Sequence, residues 1–221
     1  MGQRTVVVVA GGVRAPTRPA DLPADAFVIA ADSGVDHAHA MGLHVDVAVG
    51  DFDSISPDGL ALAEAAGARV DRHPTDKAKT DLELALDEAV RVDAQEVIVL
   101  GIGGGRLDHA LANVLLLASS AFAHCRIVAI DGDARVHVVH GGHDVVALPG
   151  AIGELLTLLP VGGAARGVTT HGLRYPLHGE PLAPGTSRGV SNVVDALDAS
   201  VQVEAGTLLA VFPGQGEDDN A

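Results

Sequence analysis

Val45-Asp46-Val47-Ala48-Val49-Gly50-Asp51-Phe52-Asp53-Ser54 is the stretch on which the fold turns. A short apolar run passes directly into two carboxylates separated by one residue. Read as a strand, the run has a period of two, which sends Asp51 and Asp53 to the same side of the chain at its carboxyl end. Runs of this kind, rich in valine and barely alternating, suit a strand buried on both faces of a parallel sheet. Paired oxygen donors at its end suit a hard cation such as Mg²⁺ holding a phosphorylated ligand. An isolated Asp-x-Asp is more often an Asx-turn in a solvated loop. The weight of this one comes from three companions: ADSG (Ala31 to Gly34), DKAKTD (Asp76 to Asp81) and GGGRLDH (Gly103 to His109).

Working outward, the first two-thirds of the chain repeats the same grammar. Strands are expected at Thr5 to Ala10, Phe27 to Ala31, Val45 to Val49, Ala68 to Asp71, Glu96 to Leu100 and Arg126 to Ile130. Helices are expected at Ser33 to Met41, Pro57 to Ala66, Asp81 to Val92 and Leu107 to Ala121. The alternation predicts a doubly wound, mostly parallel α/β domain over residues 1–141. The four motifs follow the second, third, fourth and fifth strands, so all lie beyond carboxyl ends, where open α/β sheets bind ligands. Beyond Asp131, glycines and prolines punctuate short runs without helical period. Strands are expected at Ala134 to Val139, Asp144 to Leu148, Glu154 to Leu159, Ala165 to Thr170, Ser200 to Glu204 and Thr207 to Phe212, the last two as a hairpin about Ala205-Gly206. Residues 142–214 therefore read as a small all-β sandwich, and the polar end, 215–221, as a disordered tail.

Composition narrows the function. The chain has 221 residues and a formal charge of −15, from 29 acidic against 14 basic residues. That argues against a nucleic-acid partner, which would need a basic face. The single cysteine, Cys125, forbids an intrachain disulfide and is expected to be buried and inert. His109 to Cys125, the longest stretch without formal charge, carries Asn113, Ser119, Ser120 and His124 and reads as a core helix rather than a bilayer span. The opening valine run is too short for a signal peptide, so a cytoplasmic protein is expected.

The motifs carry chemistry of their own. Thr80 and Glu83 form a T-x-x-E capping box, which places Asp81 in the first turn of a helix; the helix dipole favours an acid there without any function, but beside Asp51 and Asp53 it offers a third carboxylate to a shared metal. Gly103, Gly104 and Gly105 let backbone N–H groups approach a phosphate, and Arg106 is a natural bidentate clamp for it. The loop is neither a Walker A nor a Rossmann sequence. Asp108 and His109 could orient Arg106, contact a nucleotide or simply cap the helix. His137, His140 and His143 are evenly spaced, but the Gly141-Gly142 turn argues against a zinc site. His37 and His39 point apart on a helix and read as surface residues.

Taken in this order, ADSG, GDFDS, DKAKTD, GGGRLDHALAN, GLRYPL (Gly172 to Leu177) and GVSN (Gly189 to Asn192) resemble the thiamine pyrophosphokinase family from Val6 to about Phe212. The resemblance implies an α/β catalytic domain followed by a β-sandwich domain, working as a homodimer with the active site at the subunit interface. It implies transfer of a diphosphate group from ATP to thiamine, giving thiamine diphosphate and AMP. Asp51, Asp53 and Asp81 would hold Mg²⁺, with Asp32 nearby, and with Arg106 they form the catalytic set. Ser33, Gly34, Lys79, Thr80, Gly104, Gly105, Asp108 and His109 are the nucleotide candidates; Lys77, Tyr175, Ser191 and Asn192 are the thiamine candidates. The chain departs from the family pattern at Ser33, Lys77, Ala78 and Val193, where glycine, glutamine, aspartate and glutamate are common. A pyrophosphokinase for another hydroxymethyl heterocycle, such as a pterin, and a non-catalytic nucleotide-binding regulator are the alternatives.

Overall fold

The computed structural model describes residues 4–12, 16–103, 106–142 and 144–214. Gly104, Gly105, His143 and the expected disordered tail 215–221 lie outside the described residues. The chain divides into two compact units, one of Met1–Leu117 with His124–Gly132, the other of Asp133 onward with Ala118–Ala123. The division falls ahead of the 141/142 boundary read from the sequence, because the strand Ala134–His140 pairs with the chain's last strand rather than with a parallel neighbour.

The first unit is built on six strands: β1 (Thr5–Val9), β2 (Phe27–Ala31), β3 (Val47–Gly50), β4 (Arg69–Arg72), β5 (Glu96–Leu100) and β6 (Arg126–Asp131). They lie in the order β4-β3-β2-β1-β5-β6, all parallel. Four consecutive valines in β1 are all at most 1% exposed, as a strand covered on both faces requires. The edge strand β4 is correspondingly polar and partly exposed. Helices α1 (Gly34–Ala40), α2 (Pro57–Ala65), α3 (Asp81–Arg91) and α4 (Leu107–Leu117) make the crossovers. In α3, Leu82, Ala85, Leu86 and Ala89 recur at helical spacing and are buried. Its start is fixed by Thr80, whose Oγ1 accepts from the Glu83 N–H at 3.2 Å. The chain steps outward from β1 to β4 and then returns to the other side of β1 as β5. The topological switch, and the crevice that goes with it, therefore lies beyond the carboxyl ends of β1 and β5.

The expected helix Leu107 to Ala121 is shorter, and the reading of His109 to Cys125 as a core helix is corrected. α4 stops at Leu117, the one residue of it that is buried, and Leu107, Leu111 and Leu115 are 74%, 56% and 54% exposed on one face. Cys125 is buried as expected, its thiol donating to the Ala94 carbonyl at 3.1 Å and pushed up in pKa by burial.

The second unit contains β7 (Ala134–His140), β8 (Val145–Ala147), β9 (Leu155–His171), β10 (His178–Leu182), β11 (Asn192–Val193), β12 (Ser200–Gln202) and β13 (Ala205–Phe212), all paired antiparallel. The two strands expected between Glu154 and Thr170 are one 17-residue strand, β9. Gly162 and Gly163, at φ 71° and 157°, bend it mid-course without ending its pairing. Its first part pairs with β13 and its last part with β12, so β12 and β13 pair with β9 and not with each other. The expected hairpin about Ala205-Gly206 is thus a corner between two sets of pairings. Leu156, Leu158, Val168, Val201, Leu208 and Phe212 come together from both sets in one buried core.

Candidate active site

Beyond the carboxyl ends of the first unit's strands lies a cavity of about 700 Å³. Its wall is contributed by every one of the expected loops: Asp32 after β2, Asp51 and Asp53 after β3, Lys77, Lys79, Thr80 and Asp81 after β4, and Arg106, Asp108 and His109 at the start of α4. Ser33 and Gly34 do not line it. Gly34 is buried, and a Cβ there would stand 2.1 Å from the Val9 carbonyl oxygen, so this glycine lets α1 pack against β1. Two neighbours went unrecognised in the sequence. Ala10-Gly11-Gly12, after β1, and Thr75 both face the cavity, and the glycine pair directly after a valine run is the signal that points to the first.

Asp51 and Asp53 do meet, though not by strand pleating. β3 ends at Gly50, and Phe52 adopts φ 61°, a left-handed conformation rare for a bulky side chain. Phe52 is held there by burial at 9% exposure and by the Arg72 guanidinium 5.0 Å above its ring. The turn brings the Asp53 N–H to 3.4 Å from Asp51 Oδ1. One carboxylate oxygen from each of Asp32, Asp51 and Asp53 can be chosen so that all lie within 4.8 Å of one another. Asp32, itself at φ 48°, is only 8% exposed, and its Oδ1 has no hydrogen-bond partner. Burial raises its pKa, the Ser33 N–H partly offsets this, and the negative charges of Asp81, Asp53 and Asp51 raise it further. Asp81 approaches from α3: a Cβ on Gly50, at φ 149°, would meet Asp81 Oδ1 at 3.1 Å.

This donor set fits Mg²⁺, a hard cation held octahedrally by a few carboxylate oxygens together with waters and substrate phosphate oxygens. A buried carboxylate oxygen without a partner, among three further acids, is a site short of positive charge.

One cation is already among these acids. Lys77 Nζ stands 2.9 Å from Asp51 Oδ2 and 3.1 Å from Asp81 Oδ1, with its side chain 12% exposed. The contact with Asp51 is a hydrogen bond; that with Asp81 is an ion pair without hydrogen-bond geometry. The Lys77 contact, more than the Asp53 N–H and the Thr75 hydroxyl, holds the Asp51 carboxyl below its usual range against burial. Burial lowers the Lys77 pKa, but Asp51 and Asp81 together outweigh it and the net displacement is upward. Lys79 turns away to Asp87 and Glu83. Arg106 grips Asp108 in a fork, Nε to Oδ1 at 3.1 Å and Nη2 to Oδ2 at 2.5 Å, which pulls the Asp108 carboxyl down to about 2.

The second unit carries a smaller cleft of about 320 Å³, lined by Tyr175, Ser187, Arg188, Gly189, Val190 and Asn192. Asn192 is 2% exposed and spends its amide on the backbone: Oδ1 accepts from the N–H groups of Tyr175 and Val193, and Nδ2 donates to the Tyr175 carbonyl. Ser191, at φ 55°, donates its N–H to Thr157 Oγ1 at 3.1 Å.

Comparison with known proteins adds a separate line. A family model described as thiamin pyrophosphokinase, catalytic domain, matches residues 22–129, and one described as thiamin pyrophosphokinase, vitamin B1 binding domain, matches residues 143–208. A thiamine pyrophosphokinase of Bacillus subtilis is 28% identical over 211 residues, covering 94% of this chain and 98% of its own. Thiamine pyrophosphokinase 2 of Oryza sativa is 27% identical over 174 residues, 75% of this chain and 64% of that longer protein. The crystal structure of the Bacillus subtilis thiamine pyrophosphokinase matches with a TM-score of 0.84 at 25% identity, over 96% of this chain and 100% of that one. That of the Geobacillus thermodenitrificans enzyme matches with a TM-score of 0.79 at 27% identity, over 96% and 99%.

Proposed function

Since the chain belongs to the thiamine pyrophosphokinase family, we propose that it moves the terminal diphosphate of ATP to the hydroxyl of thiamine, releasing AMP. The observation that carries this reading is an acid cluster at the switch-point crevice of a chain that matches the family through both halves. In the reaction the thiamine oxygen bonds to the β-phosphorus, the bond from that phosphorus to the α-phosphate oxygen breaks, and the hydroxyl proton passes to a base. In this reading a carboxylate of the cluster serves as that base. Mg²⁺, held by Asp32, Asp51, Asp53 and Asp81, would supply neutralisation of the phosphate charge. Arg106 suits a phosphate clamp: it is exposed on the cavity wall, and exchanging Asp108 for two phosphate oxygens preserves its fork.

The cleft around Tyr175 and Asn192 is proposed to take the thiamine. We extend the reading to a homodimer whose active site is completed at the subunit interface. Support for association comes from α4, whose leucines at positions 107, 111 and 115 form an apolar stripe left exposed among the described residues.

The test of the reaction is direct. With ATP, thiamine and Mg²⁺, phosphorus NMR should show AMP rising in step with thiamine diphosphate; ADP as product would refute the chemistry. For the assembly, Leu111→Asp should yield a monomer by sedimentation, and an unchanged dimer would refute this face as the contact.

A further inference from the structure

Lys77 is the cation that the acid cluster already holds. Its position is imposed by local chain geometry: the Lys77 N–H donates to the Thr75 carbonyl at 3.0 Å, closing a turn just ahead of α3. From there the side chain reaches Asp51 on a different loop and Asp81 four residues on. Its neighbour Lys79 shows the ordinary alternative, an exposed ammonium paired with acids along the helix surface. Lys77 instead is 12% exposed, with its charge on two of the carboxylates that a divalent ion would use. The buried oxygen of Asp32, left without a hydrogen bond, marks the same cluster as built for a cation that one ammonium does not fully satisfy.

We propose that Lys77 is a tethered cation that occupies the metal position in the nucleotide-free protein, so that the divalent ion enters together with ATP and not ahead of it. Mg²⁺ needs ligand oxygens at about 2.1 Å, and the lone pairs of Asp51 and Asp81 that face Lys77 cannot serve both cations at once. A bare divalent ion must therefore evict the ammonium into solvent and leave it without a partner. A metal arriving with a triphosphate brings acceptor oxygens onto which the ammonium can move, so its displacement costs far less. The consequence is a positive coupling between nucleotide and metal that Lys77 creates, and coupling of this kind is reciprocal. The inference rests on the acid cluster being the metal site of the proposed reaction.

The test uses Mn²⁺ as probe, with free ion followed by its EPR signal, and α,β-methylene-ATP, in which the bond that the reaction breaks is replaced. Wild-type protein is compared with Lys77→Gln and, as a second charge-free variant, Lys77→Met. Without nucleotide, both variants should bind Mn²⁺ about tenfold more tightly than wild type. The analogue should tighten Mn²⁺ binding in wild type by a factor about tenfold larger than in the variants. Equal or weaker Mn²⁺ binding by both variants without nucleotide overturns the proposal, as does an equal gain from the analogue in all three proteins. If none of the three binds Mn²⁺ even with the analogue, the cluster is no metal site and the proposed metal chemistry falls too.

Discussion

The acid-lined cavity of the first unit and the cleft of the second treat polar atoms in opposite ways. In the first unit, Asp32 keeps a buried carboxylate oxygen without a hydrogen bond, and Asp81 Oδ1 is met only by the Lys77 ammonium in an ion pair. In the second, the buried amide of Asn192 makes three backbone hydrogen bonds and holds Tyr175 in place beside the cleft. Unspent buried charge costs stability and is retained where a ligand will neutralise it. A fully spent amide contributes stability and shape. The first cavity therefore holds charge left for a ligand to neutralise, and the second presents a fixed surface.

The largest effect expected from this contrast is on turnover. Asp51→Asn and Asp53→Asn should each lower kcat/KM for the diphosphate transfer by about a thousandfold, about 4 kcal/mol, while circular dichroism shows a folded protein. Near-wild-type rates in both variants at limiting Mg²⁺ would break the assignment. On the other side, Asn192→Ala should cost about 2–3 kcal/mol of stability in urea unfolding, because buried backbone groups lose their partners. A variant as stable as wild type that simply loses thiamine affinity would reverse the contrast, making Asn192 a ligand contact.

Much of the first unit was legible because parallel strands announce themselves. A strand buried on both faces needs a continuous apolar run, and the runs of β2, β3 and β5 each end in a loop that carries a motif. The way Asp51 and Asp53 come together was not legible, since the left-handed Phe52 depends on its ring being trapped between the core and Arg72, a tertiary effect. Gly34 misled for a related reason: a glycine for close helix packing and one for ligand approach look alike in sequence. In the second unit, alternation marked the strands but not their partners. Gly162-Gly163 looks like a strand break and is a bend within β9, while Ala205-Gly206 looks like a hairpin turn and is a corner. Pairing between residues far apart in sequence leaves no local signal.

A smaller effect should appear in the first unit's stability. Asp32 is buried among acids, with its pKa raised mainly by that burial. A carboxyl raised in the folded state stabilises it in acid and loses that contribution as pH climbs through the folded value. Asp32→Asn should therefore stabilise the metal-free protein at neutral pH by about 1 kcal/mol, with the gain vanishing in acid. Asparagine tolerates the φ of 48° at this position, so the backbone is not strained by the change. A fall in melting temperature of the variant in EDTA at pH 7 would mean that the charge is already well compensated.

The smallest effect sharpens the comparison from the other side, because the second unit also holds an unspent atom. His140 Nδ1 lies 3.1 Å from Thr207 Oγ1, but Nε2 is buried without a hydrogen-bond partner. Burial alone lowers the pKa of this imidazole from 6.5. The folded state thus resists a proton that the unfolded chain accepts. Above the unfolded value neither state is protonated and the site costs nothing; as pH falls through the window between the unfolded and the folded values, stability drops, by at most about 1.4 kcal/mol per pH unit. His140→Gln removes the titration, so the difference in urea midpoint between wild type and variant should shift in favour of the variant as pH is lowered from 7.5 to 5. A difference that stays constant across that range would show that the imidazole finds a proton acceptor on charging, and that the second unit, like its cleft, leaves nothing unspent.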